Sequence, residues 1–398
     1  MKKRILFLTT LNLATNPRLV KEIRLAVELK LAVTVICFKF NNWSNEINEG
    51  LVATCKDINI IQIDAERSSF FSWLFSGVSE KSCRTLSKWI SLPMSWHSTA
   101  ITRRSQLLTK ALKKVKHADY VIGHNPGAIY PVYKAAQQFN CKSGFDVEDY
   151  HPGEGNDIHL QEITLSLMKK LLPKFNYVSF ASASIFNQCK KTANNFNNQS
   201  TLVLNNSFPQ YEFIEPIPII DKKLQLVWFS QHIDKGRGLE QIIPIVDKHS
   251  DKMNLTLFGN CNPSFKQDFI AGKKGIHLGG ILPQQQLHQQ LAKFDAGLAI
   301  EPGKDLNNEL ALSNKVFAYL QAGLFVLATD TIEQKRYLEQ MHDAGVLVKK
   351  NFENAEEVLL QLQEDIVKLR TNMVDRFQNA KSLSWENSSS DLAKIWTT

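Results

Sequence analysis

RILFLTTLNLATNPRLVKEIRLAVELKLAVTVICF, residues 4–38, holds one complete strand-helix-strand cycle. Arg4 to Thr9 is a short apolar run of β-forming residues, and the polar loop LNLATN that follows it ends at Asn16. Asparagine suits a helix N-cap because its side-chain oxygen accepts a hydrogen bond from a free first-turn amide, and Pro17 is pre-shaped for the first helical position. Leu19, Ile23 and Ala26 then recur at helical spacing. The unbroken run LAVTVICF, residues 31–38, reads as a strand covered on both faces, the habit of a parallel sheet. The segment therefore predicts two parallel strands joined by a right-handed helical crossover.

The same alternation returns after mid-chain. Strands are expected at LQLVWFS (224–230), MNLTLFG (253–259), GIHLGG (275–280), AGLAI (296–300) and FVLAT (325–329), with helices such as QQQLHQQLAKF (284–294) and KVFAYLQAG (315–323) between them. Between the halves lies VLNNSFPQYEFIEPIPIIDKK (203–223), where Pro209, Pro216 and Pro218 interrupt any regular element. A length of 398 residues is too long for one ordinary core. The reading is α/β, with two doubly wound, Rossmann-like domains facing across a cleft: residues 1–208, a hinge at 209–221, and residues 222–382, with a closing helix at about 383–398 that could pack back on the first domain.

Composition narrows the function classes. The chain is 43% hydrophobic and 22% charged, near the soluble average, so disorder is expected only at the termini. An excess of Lys and Arg gives a formal charge of +8, which suggests anionic partners without choosing among phosphorylated ligands, nucleic acid and membrane. No arginine-rich arm, finger spacing or aromatic RNA-binding motif accompanies it, so nucleic acid is not an expected partner. The six cysteines form no CxxC pair, which argues against a zinc site or a disulfide framework and favours a reducing cytosol. The basic, apolar start MKKRILFLTTLNLA lacks a convincing signal-peptide cleavage site and feeds directly into the first helix. No apolar stretch reaches the roughly 18 residues of a spanning helix. A cytoplasmic location is expected, with attachment to the inner face of the membrane left open.

That option comes from residues 69–116, where Phe70, Phe71, Trp73, Phe75, Trp89 and Trp96 lie near Arg103, Arg104, Lys113, Lys114 and Lys116. Aromatics beside a basic run could form a membrane-docking surface. Equally, they could be ordinary helix packing beneath a solvated basic face.

Four segments together resemble glycosyltransferase family 4: TNPRLVKEIRLA (15–26), FDVEDYHPGE (145–154), WFSQHIDKGRGLE (228–240) and SNKVFAYLQAGLFVLATDT (313–331). Their order and spacing cover nearly the whole chain. The resemblance implies the two-Rossmann-domain GT-B fold and transfer of a sugar from a nucleotide-sugar donor to a glycan or lipid-linked acceptor. It further implies retention of anomeric configuration and no need of a metal or other cofactor. A role in polysaccharide assembly would follow from it. No DxD arrangement suited to a divalent metal is present.

Arg237 stands where the family's phosphate-binding Lys usually falls, with Lys235 and His232 as neighbours. A leaving diphosphate needs such fixed cations, or helix N-terminal amides, to neutralise its growing charge. The alternative for Arg237 is a surface arginine at a helix start. Glu301, directly after AGLAI, could accept hydrogen bonds from donor-sugar hydroxyls. Glu309 reproduces the family's Glu-seven-Glu spacing, although counting back from QAG puts the family's second acid at Ala318. Ser313, Asn314 and Lys315 open the next helix, as a phosphate cradle or as a simple cap and surface lysine. His151 falls where the family places its catalytic His, with Asp149 or Glu154 to orient it or bind acceptor hydroxyls. Asn16, Arg18, His124 and Asn125 are candidates for the acceptor side, with a structural turn at Asn125–Gly127 as the other reading.

Two further function classes remain open on the sequence. One is another enzyme of the same fold, such as a nucleotide-sugar epimerase or an inverting transferase. The other is a non-catalytic nucleotide- or glycan-binding protein, to which the missing acid at Ala318 lends weight.

Overall fold

The computed structural model describes residues 2–55, 57–64, 70–193, 196 and 200–398. The chain divides into two compact units, residues 1–204 with 389–398, and residues 205–388.

The first unit is built on seven parallel strands: β1 (Arg4–Thr9), β2 (Ala32–Lys39), β3 (Asn59–Asp64), β4 (Tyr120–His124), β5 (Lys142–Val147), β6 (Tyr177–Phe180) and β7 (Ser200–Val203). Their order across the sheet is β3-β2-β1-β4-β5-β6-β7. The chain winds outward from β1 to β3, then returns to the other side of β1 and winds outward again. All five residues of β4 and the last five of β1 are buried, as expected of central strands covered by helices on both faces. The opening helix spans Pro17–Glu28, and the Asn16 side chain accepts from the Leu19 amide at 3.2 Å. Its buried face holds Leu19, Ile23 and Ala26, and also Arg18 and Glu22, which apolar periodicity does not mark.

The second unit has six parallel strands: β8 (Leu224–Ile233), β9 (Met253–Cys261), β10 (Ile276–Gly280), β11 (Ala296–Ala299), β12 (Phe325–Thr329) and β13 (Gly345–Val348). Their order is β10-β9-β8-β11-β12-β13, the same double winding. The first five fall on the five runs expected from the sequence. The four-residue β13 is too short to show a pattern of its own.

The proline-rich run holds one short 3-10 turn, Gln210–Glu212, and otherwise no helix or strand. It is nevertheless fastened to the second unit. The Arg370 guanidinium donates to the carbonyls of Ile219 and Lys223 at 3.2 and 3.1 Å, and to both carboxylate oxygens of Asp295 at 2.8 and 2.9 Å. Buried Glu212 meets the His288 ring at 2.7 Å, and that ring stacks on Phe213. Side-chain anchors of this kind are why the boundary falls at 204/205, ahead of the prolines.

The closing helix, Ser390–Thr397, belongs to the first unit. Trp396 is fully buried, donates from its indole N–H to the Tyr177 hydroxyl at 3.0 Å and sits edge-on to Phe7. Tyr120 donates to the Ile395 carbonyl at 3.1 Å. The last residues of the chain therefore complete the core that β1 and β4 begin. Replacing Trp396 with Ala is expected to lower the stability of this unit by about 3–5 kcal/mol, against less than about 0.5 for exposed Lys394→Ala. Urea unfolding followed by tryptophan-independent circular dichroism measures both.

Candidate functional site

In a doubly wound sheet, the point where the winding reverses leaves a crevice at the carboxyl ends of the two strands that diverge there. In the first unit this lies between β1 and β4. In the second it lies between β8 and β11. Both places are dense in charged and polar side chains.

At the first, one polar residue near the end of each of four neighbouring strands stands in register: Thr9, His124, Asp146 and Ser179. Arg18 reaches this row from the opening helix and grips both oxygens of Asp146, through Nε at 2.5 Å and a terminal nitrogen at 2.8 Å. Ser179 donates to the same carboxylate at 2.5 Å, and the His124 ring lies between Asp146, 3.7 Å away, and Glu22, at 3.2 Å. Arg18, His124 and Asp146 have no exposed side-chain surface. Burial opposes charge on Asp146, yet the Arg18 and His124 charges hold its carboxyl below the usual range. Burial likewise opposes charge on His124, and Glu22 and Asp146 overcome it, so the imidazolium is favoured.

Glu22, His124 and Asp146 bring potential metal-ligand atoms within 4.8 Å of one another. The donor set does not suit a cation. A guanidinium already holds both Asp146 oxygens, and His124 is drawn toward its charged form. The cluster is an ion-pair network that locks the opening helix to the sheet. Asn16, Arg18 and His124, expected to line the acceptor side, are all turned inward, since each is taken up by a partner within the unit. Asn125 is also structural, because its Oδ1 accepts from Thr9 Oγ1 at 2.7 Å and its φ of 71° makes the turn after β4.

One strand further on, the loop after β5 carries Glu148, Asp149, His151 and Glu154. His151 pairs through Nδ1 with Glu154 at 3.1 Å, while its buried Nε2 has no hydrogen-bond partner. A buried ring nitrogen left without a partner is costly, and His124 Nδ1 in the neighbouring network is left in the same state. Burial alone would lower the His151 pKa, but Glu154 and the acids behind it raise it. Burial and the neighbouring Asp149 push Glu148 up to about 7. Sequence reasoning did not single out Glu148, Glu22 or Ser179. The available signal was the recurrence of a polar residue at the end of each apolar strand.

At the second switch point, the Glu301 carboxylate accepts from Lys315 Nζ at 2.8 Å and from Ser313 Oγ at 3.1 Å. Lys315 also lies 5.5 Å from the centre of the buried Trp228 ring. Burial raises the Glu301 pKa, but Lys315 first, then Ser313 and Arg237, bring it below the usual carboxylate value. Ser313 is the N-cap of the helix Asn314–Gln321, with Asn314 exposed as its first residue. The Ser313 hydroxyl serves Glu301 and does not cap the helix, so among the described residues the first-turn amides have no side-chain cap. Arg237 follows β8 in the loop before the helix Leu239–Lys248. It is exposed, and among the described residues nothing hydrogen-bonds or pairs with it. Gly238, at φ 82°, makes this turn possible, since a Cβ there would stand 2.7 Å from Phe352.

The other expected donor residues are differently employed. Lys235 forms an exposed pair with Asp268 at 2.8 Å, and His232 is exposed near the end of β8. Glu309 sits on the short helix Leu306–Leu310, paired with Lys350 at 2.6 Å and accepting from the Ile332 amide at 3.2 Å. Lys304, which the sequence did not single out, places its ammonium beside Gly236, 3.1 Å from where a Cβ would stand.

Comparison with known proteins gives the arrangement a name. A HepE protein from Anabaena crystallised with UDP superposes with a TM-score of 0.66 at 13% identity, over 100% of both chains. Sucrose-phosphate synthase from Thermosynechococcus elongatus gives 0.68 at 11%, over 99% of this chain and 98% of the other. TarM gives 0.68 at 9%, over 100% and 99%. The chain has the GT-B fold. No family model matches the sequence, and no curated protein matches it. Within the GT-B fold the two switch points are thus defined by this chain's own residues.

Glu148, on the loop after β5, makes the first unit sensitive to pH. Its folded-state pKa lies above its ordinary value of 4.5, so the folded protein holds that proton more tightly than the unfolded chain. The stabilisation is complete below about pH 4.5 and is lost as pH rises through about 7. Glu148→Gln is expected to flatten the decline in melting temperature between about pH 5 and 7, measured by thermal unfolding across that range.

Proposed function

We propose that this chain is a glycosyltransferase that moves a sugar from a nucleotide-sugar donor to a glycan or lipid-linked acceptor, with retention and without a metal. One observation carries the reading. The switch point of the second sheet is flanked by an uncommitted guanidinium after β8, Arg237, and by a charged, oriented carboxylate after β11, Glu301. The cation suits the donor diphosphate, with the uncapped amides of the helix Asn314–Gln321 beside it. The carboxylate suits sugar hydroxyls, since Lys315 and Ser313 engage only one of its two oxygens. HepE and a trehalose-6-phosphate protein from E. coli have structures with UDP and UDP-2-fluoro glucose respectively, which makes uridine nucleotides the first to try.

The acceptor belongs to the first unit in this reading. His151, oriented by Glu154 and with Nε2 unpartnered, would hold an acceptor or transferred-sugar hydroxyl, and Asp149 lies on the same loop. The departing phosphate would take the acceptor proton, so that the chain's part is positioning and charge stabilisation.

A second reading, nucleotide binding without transfer, draws on Ala318. It is fully buried at the place where the resembled family carries its second acid, and Glu309 is paired with Lys350.

UDP at about 100 times its Kd, with EDTA present, should stabilise the donor unit by about 2.7 kcal/mol, a shift of roughly 5–10 °C. Glu301→Ala and Arg237→Ala should each abolish most of that shift. If no nucleoside diphosphate stabilises the wild type, the donor site is misassigned. A shift with neither transfer nor hydrolysis of any bound donor would select the second reading.

A further inference from the structure

The helix Phe70–Leu86 is built inside out. Its inward side carries Ser76, Glu80, Cys83 and Arg84, and polar contacts seat it: Arg84 donates to the carbonyls of Ala100 and Ile101 at 3.0 and 3.2 Å and pairs with Glu80 at 3.1 Å, and the Arg103 amide donates to Glu80 at 2.7 Å. Its outward side carries Phe71, Leu74, Phe75 and Val78, with Phe71 74% and Phe75 67% exposed. Trp89, 82% exposed, and Ile90 continue the apolar surface past the helix end. An amphipathic helix in water normally buries its apolar stripe and exposes its charges. Here the order is reversed, over contiguous positions rather than at scattered ones.

Charge accompanies the patch. Residues 70–116 contain nine Lys and Arg against the single acid Glu80, an excess equal to the formal charge of the whole chain. That acid is spent inward on Arg84 and the Arg103 amide. Lys81 on the helix, in line with Leu74 and Val78 at helical spacing, and Lys88 just beyond its end are both exposed. Arg103, whose guanidinium lies 5.7 Å from the centre of the Trp73 ring, joins the basic segment to the helix.

We propose that the Phe70–Leu86 helix seats the first unit on a lipid surface bearing anionic headgroups, its aromatic side entering the headgroup boundary and the lysines beside it, Lys81 and Lys88, facing the phosphates. Two considerations favour lipid over a second copy of this chain. A symmetric dimer through this face would bring two strongly basic segments together, which like-charge repulsion opposes. Aromatic and aliphatic side chains flanked by lysines are also the composition that settles at a bilayer interface. The helix lies on the surface rather than through it, since no described helix is long and apolar enough to cross a membrane. The proposal does not depend on the transfer chemistry.

Flotation of the full chain with phosphatidylcholine vesicles, with and without roughly one third phosphatidylglycerol, tests it. The protein should float with the anionic vesicles, remain below with the neutral ones, and be released by high salt. The triple variant Phe71→Ser, Phe75→Ser, Trp89→Ser should float at least about tenfold less, with an unchanged melting temperature because all three side chains are already mostly in water. Lys81→Gln with Lys88→Gln should lose the preference for anionic lipid. Glu301→Ala should float like the wild type, which separates failure here from failure of the donor site. Absence of flotation, equal flotation of the triple variant, or a dimer that the triple variant dissolves while flotation persists would each overturn the proposal.

Discussion

The pairing of Arg18 with Asp146 joins the first turn of the opening helix to the middle of a seven-stranded sheet, with both partners out of solvent. A lone buried guanidinium or carboxylate would be costly; here the two charges compensate each other and Ser179 serves Asp146, while one terminal nitrogen of Arg18, Glu22 Oε1 and His124 Nδ1 stay buried with no hydrogen-bond partner among the described residues. Loss of either partner would leave an uncompensated charge in the core. The consequence is geometric. The polar row fixes where β1, β4, β5 and β6 end relative to one another, and so fixes the loop after β5, where His151 and Glu154 sit. Side chains that look like ligands on paper serve here as the frame behind the ligands.

The second unit uses the same topology with the opposite balance of burial. Glu301 and Lys315 retain side-chain exposure of 27% and 11%, and Arg237 is open to water. Charges kept at a crevice within reach of solvent remain available to something else, whereas charges shut in a core do not. The first switch point is a closed ion-pair frame, and the second keeps its charges partly open to water. The inverted helix Phe70–Leu86 departs from burial economy in the other sense, with apolar rather than charged groups left for a partner.

Much of the fold was legible in the sequence because parallel strands buried on both faces must be apolar runs, and such runs are visible: β1, β2, β8, β9, β11 and β12 are all of this kind. Asn16 and Pro17 likewise announce the opening helix by local chemistry alone. Glu301 was legible as a candidate because a carboxylate directly after a central strand has to emerge at the sheet's carboxyl edge. The short β13 and the exposed β10, by contrast, carry weak patterns or none.

Partnership was decided only by tertiary structure. Arg18 and Asp146 are 128 residues apart, and nothing local marks one as the other's counterion. Strand register alone lines up Thr9, His124, Asp146 and Ser179, which places His124, a candidate for the acceptor side, as a buried link. The same is true of Pro209–Pro218: the residues announce an irregular segment, and partners far along the chain fasten it to the second unit, His288 at Glu212, the Ala292 carbonyl at the Ile217 amide, and Arg370, about 150 residues later, at Ile219. Sequence by itself determined where strands and helix starts must lie, since those depend on neighbours in the chain. Which charges are spent and which remain available depends on neighbours in space, and that was settled only when the sheets had formed.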